Sequence, residues 1–186
     1  MNFKLALKKA WYFIWHDNSI WSWLVNILLA FIIVKFLLYP GLGLVMGTDF
    51  PVVAVMSDSM EHNGDDFDSW WTTHEYQYKQ YGITKENFSE YKFTNGFNKG
   101  DLIVALSAKE ASVGDVIIFQ WTLNYPIIHR IVIENGTFGT KGDNNAGSRS
   151  DELNIKNERV LGKAIFKIPY IGWLKIWFMN LLGYEI

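Results

Sequence analysis

Two serines, Ser57 and Ser59, stand one residue apart in the stretch VAVMSDSMEH, at the end of a short apolar run. Serine hydroxyls at the ends of strands usually bond to nearby backbone groups and stabilise turns. A serine can also act as a nucleophile, but only where a base and a group that orients the base lie beside it. The stretch alone leaves a turn residue and a nucleophile as alternatives.

The chain has four histidines, and one of them interrupts an apolar stretch. His129 lies in PIIHRIVI, where Arg130 is the only other charged residue. A lone histidine in a strand is more often structural than catalytic, so its position does not establish a base. The remaining histidines do not have the spacing of a metal-binding motif such as H-E-x-x-H; they are His16, His62 and His74.

Two aspartates, Asp143 and Asp151, lie in GTKGDNNAGSRSDE, a loop of turn-forming residues that usually indicates a surface turn. Only one short predicted strand separates this loop from the His129 strand. The chain could therefore fold back and bring a carboxylate to the imidazole. A serine, a histidine and an aspartate are the parts of an acyl-transfer triad, although most proteins contain such a trio. These residues alone leave the catalytic interpretation open.

The length and composition limit the classes of protein to consider. A chain of 186 residues can form one domain with a sizeable core. The net charge of -2 and the lack of a basic stripe give no reason to expect binding to nucleic acid. Because there is no cysteine, a disulfide scaffold, a thiol nucleophile and a cysteine metal site are excluded.

One apolar segment predicts a membrane anchor. IWSWLVNILLAFIIVKFLL has 19 residues and a single charge. A helix of that length is about 28 Å long, close to the thickness of a bilayer core. We expect a transmembrane helix over residues 18–40, ended by YPGLG from Tyr39. The alternative is a buried helix of a soluble protein.

The charges beside this segment predict its orientation. Three lysines precede it, and the residues just after it carry only Asp49 before Asp58. An excess of basic residues on the amino side places that side in the cytoplasm. We therefore expect an interfacial cytoplasmic segment over residues 1–17, a single pass through the cell membrane, and an extracytoplasmic domain over residues 41–168. Two glycosylation-type sequons, at Asn87 and Asn135, fit this orientation weakly.

Short runs rich in valine and isoleucine predict a mostly β domain with an antiparallel sheet. The predicted strands cover residues 51–56, 101–106, 115–121, 126–133, 136–140 and 159–167. Residues 61–99 are polar and aromatic, and we expect turns there with at most a short helix. The apolar end, residues 169–186, is interrupted by Pro169, Gly172 and Lys175. A membrane-associated segment at the bilayer surface is favoured there over a second span.

The ordered set SDSMEH, IIHRIV and TKGDNN behind a membrane span resembles the type I signal peptidases. The resemblance is to the archaeal and endoplasmic-reticulum branch, in which a histidine replaces the bacterial catalytic lysine. It extends to GDLIVA, VGDVIIF and IPYIG, and covers most of residues 20 to 175. It implies an antiparallel β-sheet catalytic domain of the signal-peptidase kind behind the amino-terminal transmembrane helix.

The resemblance also implies roles for individual residues. Ser59 corresponds to the nucleophile, and Ser57 to a position whose hydroxyl supports the oxyanion hole. His129 corresponds to the general base. Histidine side chains ordinarily titrate near pH 6.5, so an imidazole can accept the serine proton at neutral pH.

The acidic member of the site departs from the family pattern. Asp143 lies in the G-D-N-N motif, but the position six residues later, where relatives commonly have a second aspartate, is Arg149. The nearest aspartate is Asp151. We expect Asp151 to orient His129, and Asp143 to hold the loop by pairing with Arg130.

The implied function is that of a membrane-bound serine endopeptidase that removes signal peptides from exported proteins. Its partners would be preproteins that carry signal peptides, bound extended beside Val52–Met56, and membrane lipid. The resemblance implies no metal and no organic cofactor, and leaves accessory subunits unknown. The alternatives are a non-catalytic membrane-anchored β module that binds or scaffolds other proteins, and another serine hydrolase such as an esterase. The lack of a G-x-S-x-G motif counts against the common esterase architecture.

Overall fold

A computed structural model describes residues 3–122 and 125–184. The predicted terminal segments include residues 1, 2, 185 and 186, which lie outside the described residues. The chain divides into two compact units, with the boundary between Val45 and Met46. The first unit is helical and the second contains the sheet.

The first unit contains helices α1 (Phe3–Trp15) and α2 (Ile20–Ile33), followed by a π-helical turn (Val34–Leu38) and helix α3 (Tyr39–Met46). Ser19 caps the amino end of α2 by accepting a hydrogen bond from the Ser22 N–H. Asn26, a polar residue inside the predicted span, donates from Nδ2 to the Ile14 carbonyl at 2.9 Å. Its amide is thereby satisfied at the carboxyl end of α1, where helix carbonyls lack partners.

The expectation that the long helix ends at Tyr39 was wrong. Residues Ile20–Met46 form one continuous helix, with a mean hydropathy of 2.2 in its most apolar window. It is long and apolar enough to cross a membrane. The chain passes Pro40 without a break because the preceding turn is π-helical: the Tyr39 N–H donates to Val34, five residues back. The wider turn accommodates a proline ring that would disrupt a regular α-helix.

The second unit is built on a six-stranded sheet in the order β1-β2-β6-β3-β4-β5. Every strand pairs antiparallel with its neighbour. This confirms the predicted mostly β fold. The strands are β1 (Val52–Ala54), β2 (Leu102–Leu106), β3 (Val116–Thr122), β4 (Tyr125–Glu134), β5 (Phe138–Lys141) and β6 (Val160–Ile168).

Successive residues of the central strands pack on opposite faces of the sheet, as the pleat requires. Val116 and Ile118 of β3 join a core cluster with Val53, Val55 and Met60. Ile117 and Phe119 join a second cluster on the other face. Both faces of β3 are therefore buried, which explains its continuous apolar sequence.

Residues 61–99 are more helical than the sequence predicted. They contain helix α4 (Phe67–Lys79), capped by Asp66, and helix α5 (Lys85–Ser89), capped by Thr84. Aromatic residues of these helices, together with Ile83 between them, form a buried cluster that packs on Val132 of β4; the aromatic members are Trp70, Trp71, Tyr78 and Phe88. Helix α4 has polar residues on its exposed side and aromatic residues on its buried side, and the sequence alone did not predict this buried face.

The carboxyl-terminal segment forms helix α6 (Trp173–Leu181). Ile176 is buried, whereas most of the other large apolar side chains of the helix are at least half exposed. The exposed ones include Leu174, Trp177, Phe178 and Leu181. An apolar surface of this kind is typical of a helix that lies against a membrane.

Candidate active site

Ser59 lies in a tight turn that follows β1. The Glu61 N–H donates to the Asp58 carbonyl at 2.9 Å and closes the turn. The carbonyl of Ser59 accepts from the Asn144 N–H at 2.9 Å. Ser59 itself is half-buried and its neighbour Ser57 is exposed, so the turn faces solvent. The backbone of the serine is fixed while its hydroxyl stays accessible.

His129 is the side chain that meets the Ser59 hydroxyl. It comes from β4, is only 3% exposed, and packs edge-on against the Phe119 ring. His129 Nε2 lies 3.2 Å from Ser59 Oγ, and the Ser57 hydroxyl lies 3.2 Å from the same oxygen. A base within hydrogen-bond distance of a serine is the arrangement that nucleophilic catalysis requires.

Gly142 allows the G-D-N-N loop to approach this pair closely. A Cβ atom at this position would lie 2.7 Å from the Ser59 carbonyl oxygen and 2.8 Å from His129 Nε2. Contacts that short do not occur in folded proteins, so any side chain here would push the two residues apart. The glycine of the motif is therefore required by sterics.

Glu152 is the carboxylate nearest to the other nitrogen of His129 among the residues that the structure describes. Its Oε2 lies 3.5 Å from Nδ1, and Glu152 is only 1% exposed. Within the described residues Nδ1 has no hydrogen-bond partner. Catalytic contacts are often long in the absence of substrate and shorten when it binds. Serine, imidazole and carboxylate thus lie in the order of an acyl-transfer triad.

The structure does not bring Asp151 to His129, contrary to the expectation from the sequence. The Asp151 carboxylate is exposed, accepts a hydrogen bond from Trp121 Nε1, and lies 3.3 Å from Arg149 Nε. Asp151 and Glu152 are adjacent in a short 3₁₀ turn, Ser150–Glu152, and their side chains therefore leave it in different directions. Only the second of them faces inward.

Asp143 lies in a buried ion pair with Arg130. Arg130 donates from Nε at 3.0 Å and from Nη2 at 2.7 Å, and both residues are fully buried. The Tyr78 hydroxyl donates to Asp143 at 2.8 Å, and His62 Nε2 lies 3.2 Å away. Burial alone would raise the pKa of Asp143, but the guanidinium and these hydrogen bonds hold it well below its ordinary value. Asp143 is a carboxylate at any physiological pH.

Arg130 also ties this loop to the segment of residues 61–99. Its guanidinium donates to three backbone carbonyls, those of Lys92, Phe93 and Gly114. Since Arg130 neighbours His129 in β4, it points to the opposite face of the sheet. It therefore fixes the loop on the side away from Ser59 and His129.

Lys141 is a second buried cation beside the loop. Burial lowers its pKa to about 8. Its Nζ donates to the carbonyls of Gly142 at 2.9 Å and Asp143 at 3.2 Å. The lysine is therefore engaged with the loop backbone, and the base in hydrogen-bond distance of Ser59 is His129.

Sequence reasoning missed Glu152, Tyr78 and His62. For Glu152 the signal was present, because it follows Asp151 directly in a loop that was already expected to supply the acid. For Tyr78 and His62 no local pattern distinguishes them from other residues of a polar, aromatic segment. In the described parts of the chain, no cluster of histidine, aspartate and glutamate side chains could hold a metal ion.

The chain is similar to several known proteins. No family model matches the chain. The chain is 26% identical over 156 residues to the signal peptidase complex catalytic subunit SEC11 of Colletotrichum graminicola, covering 76% of this chain and 71% of the relative.

Two further relatives give the same result. SEC11 of Lachancea thermotolerans is 27% identical over 157 residues, and SEC11 of Zygosaccharomyces rouxii is 26% identical over 156 residues. Each match covers 76% of this chain and 74% of the relative. These similarities confirm the resemblance that the motifs indicated, which is to the type I signal peptidases of the endoplasmic-reticulum branch.

Proposed function

We propose that this chain is a membrane-anchored serine endopeptidase that removes signal peptides from exported proteins. The observation that carries the proposal is the contact between Ser59 Oγ and His129 Nε2, at 3.2 Å on an accessible turn. The similarity to catalytic subunits of signal peptidase supports the choice of reaction. A module that only binds other proteins would not need a serine paired with a buried histidine.

Cleavage begins with acyl transfer to Ser59. His129 Nε2 accepts the hydroxyl proton while Ser59 Oγ attacks the scissile carbonyl carbon, and the charge develops on the carbonyl oxygen. The Ser59 N–H makes no hydrogen bond within the described residues, so it is free to donate to that oxygen. The Ser57 hydroxyl is the second donor. His129 then protonates the leaving amine, and water hydrolyses the acyl-enzyme.

Glu152 takes the role of the acid that orients His129 in this proposal. A carboxylate at Nδ1 favours the tautomer whose Nε2 can accept a proton, and it stabilises the imidazolium that forms. The 3.5 Å distance and the deep burial of Glu152 support this assignment. Asp143 instead holds the loop, since its carboxylate oxygens already accept hydrogen bonds from Arg130 and Tyr78.

The substrate binds extended, as an additional strand beside Val52–Met56. Strand β1 is at the edge of the sheet and leads directly to the Ser59 turn. An edge strand has unpaired backbone groups that can form hydrogen bonds with an extended peptide. These bonds give affinity without requiring a particular peptide sequence. A signal peptide laid along β1 would place its cleavage site beside Ser59.

The membrane arrangement is also part of the proposal. The helix Ile20–Met46 anchors the chain in the cell membrane with its amino end in the cytoplasm and the catalytic unit outside. The lysines before the span support this orientation. The exposed apolar side chains of α6 lie at the bilayer surface, in contact with lipid. Signal-peptide-bearing preproteins emerging from the same membrane are then within reach.

The test is cleavage of a precursor that carries a signal peptide by the purified full-length chain in detergent, with a fluorophosphonate probe as a second readout. Ser59→Ala should neither cleave nor react with the probe, while its melting temperature stays within about 2 °C of the parent value because the hydroxyl is not packed in the core. Ser57→Ala should cleave about a hundredfold or more slowly, since one oxyanion donor remains.

Two results would contradict the proposal. Normal processing by Ser59→Ala would show that another group is the nucleophile. Binding of the precursor without cleavage or probe reaction would favour the non-catalytic module. Because the relatives are named as subunits of a complex, the cleavage assay is repeated with solubilised membranes of the source cells, so that a missing partner is not mistaken for a missing activity.

A further inference from the structure

Asn145 brings an unused carboxamide to the catalytic pair. Its backbone N–H donates to the Gly142 carbonyl at 3.0 Å, which fixes it at the end of a tight turn. The position of a Cβ on Gly142 would lie 2.6 Å from Asn145 Nδ2, 2.7 Å from the Ser59 carbonyl oxygen and 2.8 Å from His129 Nε2. The carboxamide therefore faces the same small space as the nitrogen that moves the proton.

The neighbouring asparagine is different. Asn144 donates from Nδ2 to the Asp58 carbonyl at 3.1 Å, and its Oδ1 accepts from Asn63 at 3.4 Å. Its side chain is thus committed to holding the serine turn. Within the described residues, the hydrogen bond of Asn145 is made by its backbone N–H and none by its side chain, which is only half-buried. Of the two amides in the motif, the second is available to a substrate or to water.

Deacylation is the step that needs a polar group at this place. Once Ser59 is esterified, its oxygen can no longer share a proton with His129, and Nε2 must instead activate water. The Ser57 hydroxyl and the Ser59 N–H serve the oxyanion. A carboxamide can both donate and accept hydrogen bonds, so it can hold a water molecule beside Nε2.

We propose that Asn145 positions the water that hydrolyses the acyl-enzyme, an inference that rests on the proposed function. The water oxygen forms a bond to the acyl carbon while one water proton passes to His129 Nε2. The tetrahedral intermediate then breaks its bond to Ser59 Oγ, and His129 returns the proton to that oxygen. The products are a free carboxylic acid and the original serine.

The experiment separates acylation from deacylation. Reaction of Ser59 with a fluorophosphonate probe needs only the nucleophile and its base. Turnover of a precursor peptide needs hydrolysis as well, and an acyl-enzyme that accumulates is visible by mass spectrometry after an acid quench. Asn145→Leu keeps the approximate volume of the side chain and removes its hydrogen bonds. Asn154→Leu, at an exposed position outside the site, is the matched control.

We expect Asn145→Leu to react with the probe at a rate within about twofold of the parent chain and to lose turnover by roughly 10- to 100-fold, as for one hydrogen bond to a developing charge. The acyl-enzyme should accumulate in this variant, and hydroxylamine, a stronger nucleophile than water, should partly restore turnover. The control should behave as the parent. If Asn145→Leu does not fold, Asn145→Ala provides the same comparison.

Three outcomes contradict the inference. Equal losses of probe reaction and turnover would assign Asn145 to activation of the nucleophile. Unchanged turnover would leave it without a role in the reaction. Lost turnover without accumulation of the acyl-enzyme would place its effect before deacylation. A parent chain that neither reacts with the probe nor cleaves would overturn the proposed function itself, which is a distinguishable result.

Discussion

Replacement of Glu152 by glutamine is the sharpest test of the site, because it changes charge and leaves volume almost constant. The carboxylate is only 1% exposed and lies 3.5 Å from His129 Nδ1. Glutamine at this place can hold the imidazole in the wrong tautomer and cannot stabilise the imidazolium. Turnover should therefore fall while the fold is retained.

The size of the loss follows from the distance. Two unit charges 3.5 Å apart interact by about 5 kcal/mol at an effective dielectric constant of about 20. Removal of that interaction from the transition state slows the reaction by roughly 10³- to 10⁴-fold. The free energy of unfolding should change by less than about 1 kcal/mol, because a neutral amide costs less to bury than a carboxylate.

The assay measures kcat for cleavage of a precursor, the rate of probe reaction at Ser59, and the melting temperature in the same detergent. Asp151→Asn is the matched control, because that carboxylate is exposed and contacts Trp121 and Arg149. We expect its kcat to stay within about threefold of the parent value, as is usual for a surface substitution. Full activity of Glu152→Gln together with a large loss in Asp151→Asn would return the role to Asp151.

Two further predictions concern the loop. Gly142→Ala should lower kcat by more than about 100-fold, because its Cβ would lie 2.8 Å from His129 Nε2 and displace the base; parent-like cleavage would show that the loop can move aside. Asp143→Asn should lower stability by about 3–5 kcal/mol, since it leaves the buried Arg130 without a counterion. Because the pKa of Asp143 is held below its unfolded value, the stabilisation is complete above about pH 4 and is lost as the pH falls further. The difference in melting temperature between parent and variant should therefore be constant from pH 7 down to about pH 4 and begin to narrow between about pH 4 and pH 3, and a difference that stays constant over the whole range would contradict this.

The sequence was sufficient for the parts of the molecule that have a strong periodic or ordered signal. Alternating or continuous apolar runs predicted the strands, and the structure has a strand at each of those places. Arg130 is adjacent to His129 and Asp143 lies in the G-D-N-N turn, and from these positions we predicted that the two side chains pair. This ion pair is present. In each case the deciding information lies within a few residues along the chain.

Other features depend on contacts that the local sequence does not encode. Which of Asp151 and Glu152 faces His129 is decided by the direction in which a 3₁₀ turn projects two adjacent side chains. Helix α4 was missed because its apolar residues are aromatic and embedded among polar ones, so its buried face becomes apparent only against Val132. The helix continues past Pro40 because a π-helical turn precedes the proline, and propensity alone predicts a break there.

The segment of residues 61–99 has a structural link to the candidate active site, although Ser59, His129 and Glu152 all lie outside it. Tyr78 and His62 complete the hydrogen bonding of Asp143, and Arg130 bonds two carbonyls of the segment. With Asp143 fixed, the next residue, Asn144, is held where its N–H donates to the Ser59 carbonyl. The N–H of Phe97, at the end of the segment, donates to the carbonyl of Met60. The Ser59 turn is thus restrained at two successive carbonyls, those of Ser59 and Met60, and part of its geometry depends on a segment that lies outside the sheet.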